Sequence, residues 1–140
     1  MNLKDFKIEK KGDYNYIDFN QPAYANLQSL LNEGINSINN LNFYIDKIHY
    51  LLNNWDYIDI IVDIKYNGYW DWEVLAENNF TEGNYFTFLG QIDLYGYINA
   101  DTKIVFIASE FFPDRPLVEM PLQEFVAILE QWRDIELHDL

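Results

Sequence analysis

The chain contains no cysteine, which excludes disulfides, thiolate metal sites and a cysteine nucleophile, and agrees with a reducing compartment. Histidine is nearly as scarce. Only His49 and His138 are present, so a nucleophile-histidine-acid triad or a histidine-ligated transition metal has little to build on. The six glycines are scattered, and none belongs to a phosphate-binding loop. No stretch approaches the roughly 18 to 20 apolar residues of a membrane span. The start, Met1-Asn2-Leu3-Lys4-Asp5, lacks the apolar segment of a signal peptide. The expected location is therefore cytoplasmic, with no membrane contact. Basic residues are also few: nine Lys and Arg stand against 23 Asp and Glu, a net charge of −14. Such a chain repels phosphate backbones, so direct nucleic-acid binding is not expected. The surplus acid either serves solubility alone or attracts a partner with a basic surface.

What is present is apolar and aromatic. Hydrophobic residues make up 49% of the chain and aromatics 18%, with 4 Trp, 11 Tyr and 10 Phe, a composition that disordered segments do not have. A length of 140 residues suits one domain, residues 1–140, burying roughly two thirds of its unfolded surface.

Phe6 to Lys10 and Tyr14 to Phe19 read as a hairpin around Lys11-Gly12-Asp13. Leu27, Leu31, Ile35, Ile38, Ile45, Ile48 and Leu52 mark a helical stripe over about 23–53, opened by Pro22. Gly34 and the Asn39-Asn40 pair weaken it. One long helix and two helices broken near Asn39 to Asn42 are equally compatible with the pattern. From Tyr57 to Tyr66 the period becomes two, with Ile58, Ile60, Val62 and Ile64 on one side and Asp59, Ile61, Asp63 and Lys65 on the other. Further strands are expected at Tyr85 to Leu89, Ile92 to Ile98 and Lys103 to Ala108, with Gly90 as a bulge or bend. Leu122, Phe125, Val126, Leu129 and Trp132 then define the buried face of a closing helix over about 121–135. The predicted fold class is α+β: a largely antiparallel sheet of about four to six strands within 57–108, covered on one face by N-terminal helices and the C-terminal helix.

The candidate contact residues lie on the sheet. Alternation places Asp59, Asp63, Asp93, Tyr95 and Tyr97 on one exposed acidic and aromatic face if the other face meets the helices. Trp70-Asp71-Trp72-Glu73 interleaves large amphipathic aromatics with acids, a pattern that supplies both contact area and charge complementarity. Its alternative reading is a core Trp beside an edge Trp. In the Pro113-Asp114-Arg115-Pro116 turn, Arg115 is expected to pair with Glu110, Asp114 or Glu119, while Phe111 or Phe112 anchors the loop against the core. Asp71 with Glu73, or Glu110 with Asp114, supplies the carboxylate pair that glycoside hydrolysis needs, but a chain with 23 acids produces such pairs by chance. No calcium-loop or histidine-based metal pattern is present, and no cofactor is expected.

The order strand, acidic turn and closing helix in the last third of the chain carries a resemblance. Lys103 to Ala108, then Pro113-Asp114-Arg115-Pro116, Pro121-Leu122-Gln123-Glu124-Phe125 and Ile128-Leu129-Glu130-Gln131-Trp132 together resemble the C-terminal part of small bacterial immunity proteins. Those proteins neutralise the toxic domains of contact-dependent growth inhibition and related polymorphic toxin systems. The likeness covers the chain from about Tyr57 onward and is most specific from Phe106 to Trp132. It implies a cytoplasmic, non-catalytic protein that binds one cognate toxin domain; alone, the chain is expected to be a monomer or a weak dimer. The charge points to a toxin with a basic surface, such as a nuclease. Toxin-contacting residues vary among such proteins, so the resemblance assigns no site residue. Two other readings stay open: a small carboxylate-dependent enzyme such as a glycan hydrolase, and an acidic phosphate mimic that inhibits a DNA-binding protein.

Overall fold

The computed structural model describes residues 6–58, 85–91 and 93–138. The fold is α+β, with a two-stranded and a four-stranded antiparallel sheet and helices packed against them. The N-terminal hairpin pairs β1 (Lys7–Lys11) with β2 (Tyr14–Asp18) across a two-residue turn in which Gly12 takes φ 65°. That left-handed conformation favours glycine. β1 is exposed throughout, whereas Asn15 and Ile17 of β2 are buried.

Among the described residues, the edge of β2 away from β1 is closed by side-chain amides and not by a third strand. Asn32 accepts from the Ile17 N–H and donates to the Ile17 carbonyl, both at 2.9 Å, and Gln28 accepts from the Phe19 N–H at 3.0 Å. The helical segment that supplies these amides starts as a single 3-10 turn, Pro22–Tyr24. It continues as α1 (Ala25–Ser29) and widens into a π turn over Leu30–Gly34. There the Ile35 N–H reaches back to Leu30 O (2.8 Å), and the Leu31 carbonyl is left to accept the Trp132 indole N–H at 3.0 Å.

The helical region breaks at Ile35 to Ser37, upstream of the Asn39 to Asn42 position expected from composition. Ser37 is the reason: it is extended at φ −94°, ψ 153°, and its hydroxyl accepts from the Asn40 N–H at 3.2 Å, which makes it the N-cap of α2 (Ile38–Asn53). Asn39 and Asn40 fall in the first turn, where their poor interior propensity matters little. A second difference concerns the strand expected from Tyr57. Trp55–Tyr57 form a 3-10 turn and Ile58 is αR, while the remainder of that expected strand lies outside the described residues.

The four-stranded sheet is a meander in the order β3 (Tyr85–Gln91), β4 (Leu94–Asn99), β5 (Ile104–Ser109), β6 (Val118–Pro121). β6 was not anticipated. It is a short edge strand whose Pro121 pairs with Ile104, an edge being the place a sheet tolerates proline. The bulge in β3 sits at Phe88, not Gly90: the pairing jumps from Thr87 with Tyr97 to Leu89 with Gly96. The extra residue lets Phe88 and Leu89 both turn to the core. Phe88 lies directly against Gly96, where a Cβ would stand 2.5 Å from the ring.

β6 runs straight into α3 (Leu122–His138). Leu122, Phe125, Val126, Leu129 and Trp132 are all buried, as the spacing predicts, in one core with Leu27, Leu31, Leu41, Ile45 and Ile48 of the other helices and Leu94, Ile98, Val105, Ile107, Val118 and Met120 of the sheet. The helices thus cover one face of the sheet. His49 joins α2 to α3 through Glu130 (2.9 Å), and Arg133 adds a bond to Asn42 (2.9 Å). His49 is accounted for structurally by that bridge.

Candidate partner-binding site

Antiparallel pairing of β4 with β5 sets Leu94 opposite Ser109, Tyr95 opposite Ala108 and Tyr97 opposite Phe106. On the sheet face turned away from the helices, Tyr95 and Tyr97 stack with ring centroids 6.2 Å apart, and Tyr85 meets Phe106 edge-on at 5.8 Å. Alternation therefore places Tyr95 and Tyr97 on the same, outer face, as expected. The expected exposure fails for Tyr97, which is 0% exposed and belongs with Tyr85 to a second buried cluster. Period-two alternation identifies which residues share a face, not whether that face is wet.

Asp93 and Tyr95 instead help build a surface at the end of the β4–β5 ribbon. The buried Ser109 hydroxyl donates to Asp93 Oδ2 at 3.0 Å and accepts from the Phe112 N–H at 3.1 Å. The Glu110 N–H donates to the Asp93 carbonyl at 2.7 Å, and the Tyr95 hydroxyl donates to Glu110 Oε2 at 2.9 Å. Past this point the chain folds over as a turn, with the Arg115 N–H on Phe112 O at 3.1 Å.

Arg115 departs from expectation. Its guanidinium stacks on the Phe112 ring (4.2 Å) and donates to Ser29 Oγ (3.3 Å), so among the described residues it pairs with no acid. The aromatic residues do not anchor the loop either: Phe111 is 65% exposed and Phe112 51%. The anchor is Asn26, fully buried, whose amide donates to Ile107 O and Pro116 O at 3.3 and 3.4 Å. The site is thus a pair of exposed phenyl rings on a loop fixed at both ends, flanked by Glu110 and Asp114, both exposed.

The sequence expectation gives Phe111 or Phe112 the role of loop anchor and names neither as a contact residue. The signal that could have found one of them is their adjacency: without a bulge, two successive residues of a strand cannot both face one side of a sheet. Of the other candidates, Asp59, Asp63, Trp70, Asp71, Trp72 and Glu73 lie outside the described residues. Among the described residues no cluster of three or more His, Asp or Glu converges as a metal site requires, and no helix is long and apolar enough to cross a membrane. Compared with protein-family models, curated proteins and solved structures, the chain matches none.

Proposed function

We propose that the chain is a cytoplasmic, non-catalytic immunity protein that neutralises a cognate toxin domain with a basic surface, such as a nuclease. The observation that carries this reading is the locked Phe111-Phe112 pair between Glu110 and Asp114. Large rings presented on a pre-ordered loop cost little entropy to bury in a partner, and acids around them favour a basic surface and exclude an acidic one. The net charge of −14 acts in the same direction at long range. Asp93 and Tyr95 extend the proposed contact, with Asp59, Asp63 and Trp70 to Glu73 as its further candidates.

The test is growth protection. The reading expects a neighbouring gene for a large secreted protein with a variable C-terminal domain; cells producing that domain should survive when the chain is coexpressed, and should lose protection with the double variant Phe111→Ala, Phe112→Ala. In surface-plasmon kinetics Phe112→Ala should speed dissociation at least about tenfold. Glu110→Lys with Asp114→Lys should slow association and flatten its dependence on salt. Absence of protection and of a complex, or a neighbourhood of metabolic genes only, overturns the reading.

A further inference from the structure

Tyr95 and Glu110 meet on the outer face of the sheet by a route that the strand register defines. Tyr95 stands opposite Gly90 on β3 and Ala108 on β5, so neither of its directly opposed neighbours is bulky. The Glu110 N–H donates to the Asp93 carbonyl at 2.7 Å, which carries the β4–β5 ladder one pair past Ser109. Glu110 therefore follows Ala108 by two on the same face, diagonal to Tyr95 and within reach of a long side chain. There the Tyr95 hydroxyl donates to Glu110 Oε2 at 2.9 Å. The phenol ring is itself fixed, lying nearly parallel to the ring of fully buried Tyr97, 16° apart in plane and 6.2 Å between centroids.

Glu110 is exposed and Tyr95 half-buried, and a bond of this kind adds little to the stability of the fold. Its consequence is orientation. An exposed glutamate otherwise turns freely about its side-chain torsions, and a partner must freeze that motion on binding. Tyr95 thus does for the acid what Ser109 does for the rings beside it. An oriented carboxylate also distinguishes between the two cations that a basic surface offers. A guanidinium presents coplanar N–H bonds that match both carboxylate oxygens, whereas an ammonium is a point charge indifferent to the plane. Each carboxylate oxygen accepts more than one hydrogen bond, so the bond from Tyr95 leaves acceptor sites on both for such a fork. Resting on the immunity reading, we propose that Tyr95 is a positioning residue: through its hydroxyl it presets Glu110 to take an arginine of the toxin domain, and so selects arginine over lysine at that place.

The free chain and its complex test this in turn. In NMR spectra of the free chain the Glu110 side chain should hold one rotamer, with two distinct γ-proton shifts, and Tyr95→Phe should average it. Melting should not change, because the ring and its stack on Tyr97 remain. In surface-plasmon kinetics with the toxin domain of the protection assay, Tyr95→Phe should weaken the complex about threefold to tenfold. Combined with Glu110→Gln, it should cost less than the product of the two separate losses by at least about twofold. Arginines of the toxin domain are then changed to lysine one at a time. One of these changes should cost about tenfold against the wild-type chain and no more than about threefold against Tyr95→Phe. A Glu110 equally ordered in Tyr95→Phe, losses that simply multiply, or lysine serving as well as arginine at every position overturns the inference and leaves the immunity reading standing. Absence of any complex defeats that reading, and the inference with it.

Discussion

The β4–β5 ribbon carries aromatic residues on its outer face and again just past its end, and the two groups meet water in opposite ways. Tyr97, in mid-strand on the side away from the helices, is fully buried, whereas Phe111 and Phe112, beyond the last ladder pair, are exposed on a loop fixed by hydrogen bonds. Their chemistry is nearly the same; what differs is how each position is held. Tyr97 is part of a packed cluster, so its ring contributes stability. The loop rings are held by the backbone and side-chain bonds beneath them, and so they remain available to a partner.

The sharpest way to break that contrast is to truncate one ring from each group. Tyr97→Ala should lower unfolding free energy by about 3 kcal/mol or more, the cost of emptying a fully buried aromatic site. Phe112→Ala should change it by less than about 0.5 kcal/mol, as an exposed substitution does. Urea titration of the two variants measures both. Similar losses would mean that the loop rings also belong to the packed structure and are poor candidates for a binding site.

The inner face of the sheet offers a comparison with the outer one, because there the tight point is a glycine. Gly96→Val should cost about 2 to 3 kcal/mol, since its side chain would enter space held by the Phe88 ring and Leu89 Cβ. Gly90→Ala, where a new Cβ meets nothing within 4 Å, should be nearly neutral. Thermal melts of the pair check this, and equal losses would show that the bulge at Phe88 relaxes to accept a side chain.

These contrasts also mark what could be read from the sequence. The closing helix was fully legible because Leu122, Phe125, Val126, Leu129 and Trp132 repeat one period over several turns. The α+β class followed from the change of period between segments. The exact break before α2 was not legible, since Ser37 acts through a single capping bond while the more conspicuous Asn39 and Asn40 are harmless in a first turn. β6 escaped because four residues ending in proline hold too few alternations to show a period. Tyr97 was placed on the right face and given the wrong exposure, because alternation carries no information about what packs on a face. The loop rings have no periodicity at all; their presentation depends on Ser109, Asn26 and Arg115, residues that are distant from one another in sequence or unremarkable in type.

Ser109 allows the loop itself to be loosened without touching a ring. Ser109→Ala removes the acceptor of the Phe112 N–H and the donor to Asp93 together, so stability should fall by about 1 to 2 kcal/mol. Exchange of the Phe112 amide with solvent should rise more than that of amides in β4. In binding, the same variant should weaken a partner complex although no contacting ring has changed, because the loop must then be ordered on association. A variant with fast Phe112 exchange and undiminished binding would separate the loop's order from its role in recognition.

The smallest expected effect compares the exposed side of α2 with the helix side beside it. Phe43 is exposed, while Lys47 four residues on is half-buried and directed at Phe88 O. Burial lowers the Lys47 ammonium below its ordinary value of 10.5. The folded state therefore binds fewer protons than the unfolded chain between the lowered value and 10.5, and stability contributed at this position rises with pH across that window. Below the window the desolvation cost of the charged form is present in full; above it the cost is gone. Lys47→Met removes the titration, so the stability of the wild type relative to this variant should improve as pH climbs toward about 10.5, by no more than ~0.5 kcal/mol because solvent still screens a half-exposed group. Paired urea titrations at two pH values measure the difference, with other groups, tyrosines included, titrating alike in both proteins. A relative stability that is flat or falls with rising pH would mean that the bond to Phe88 O favours the charged ammonium enough to offset its burial.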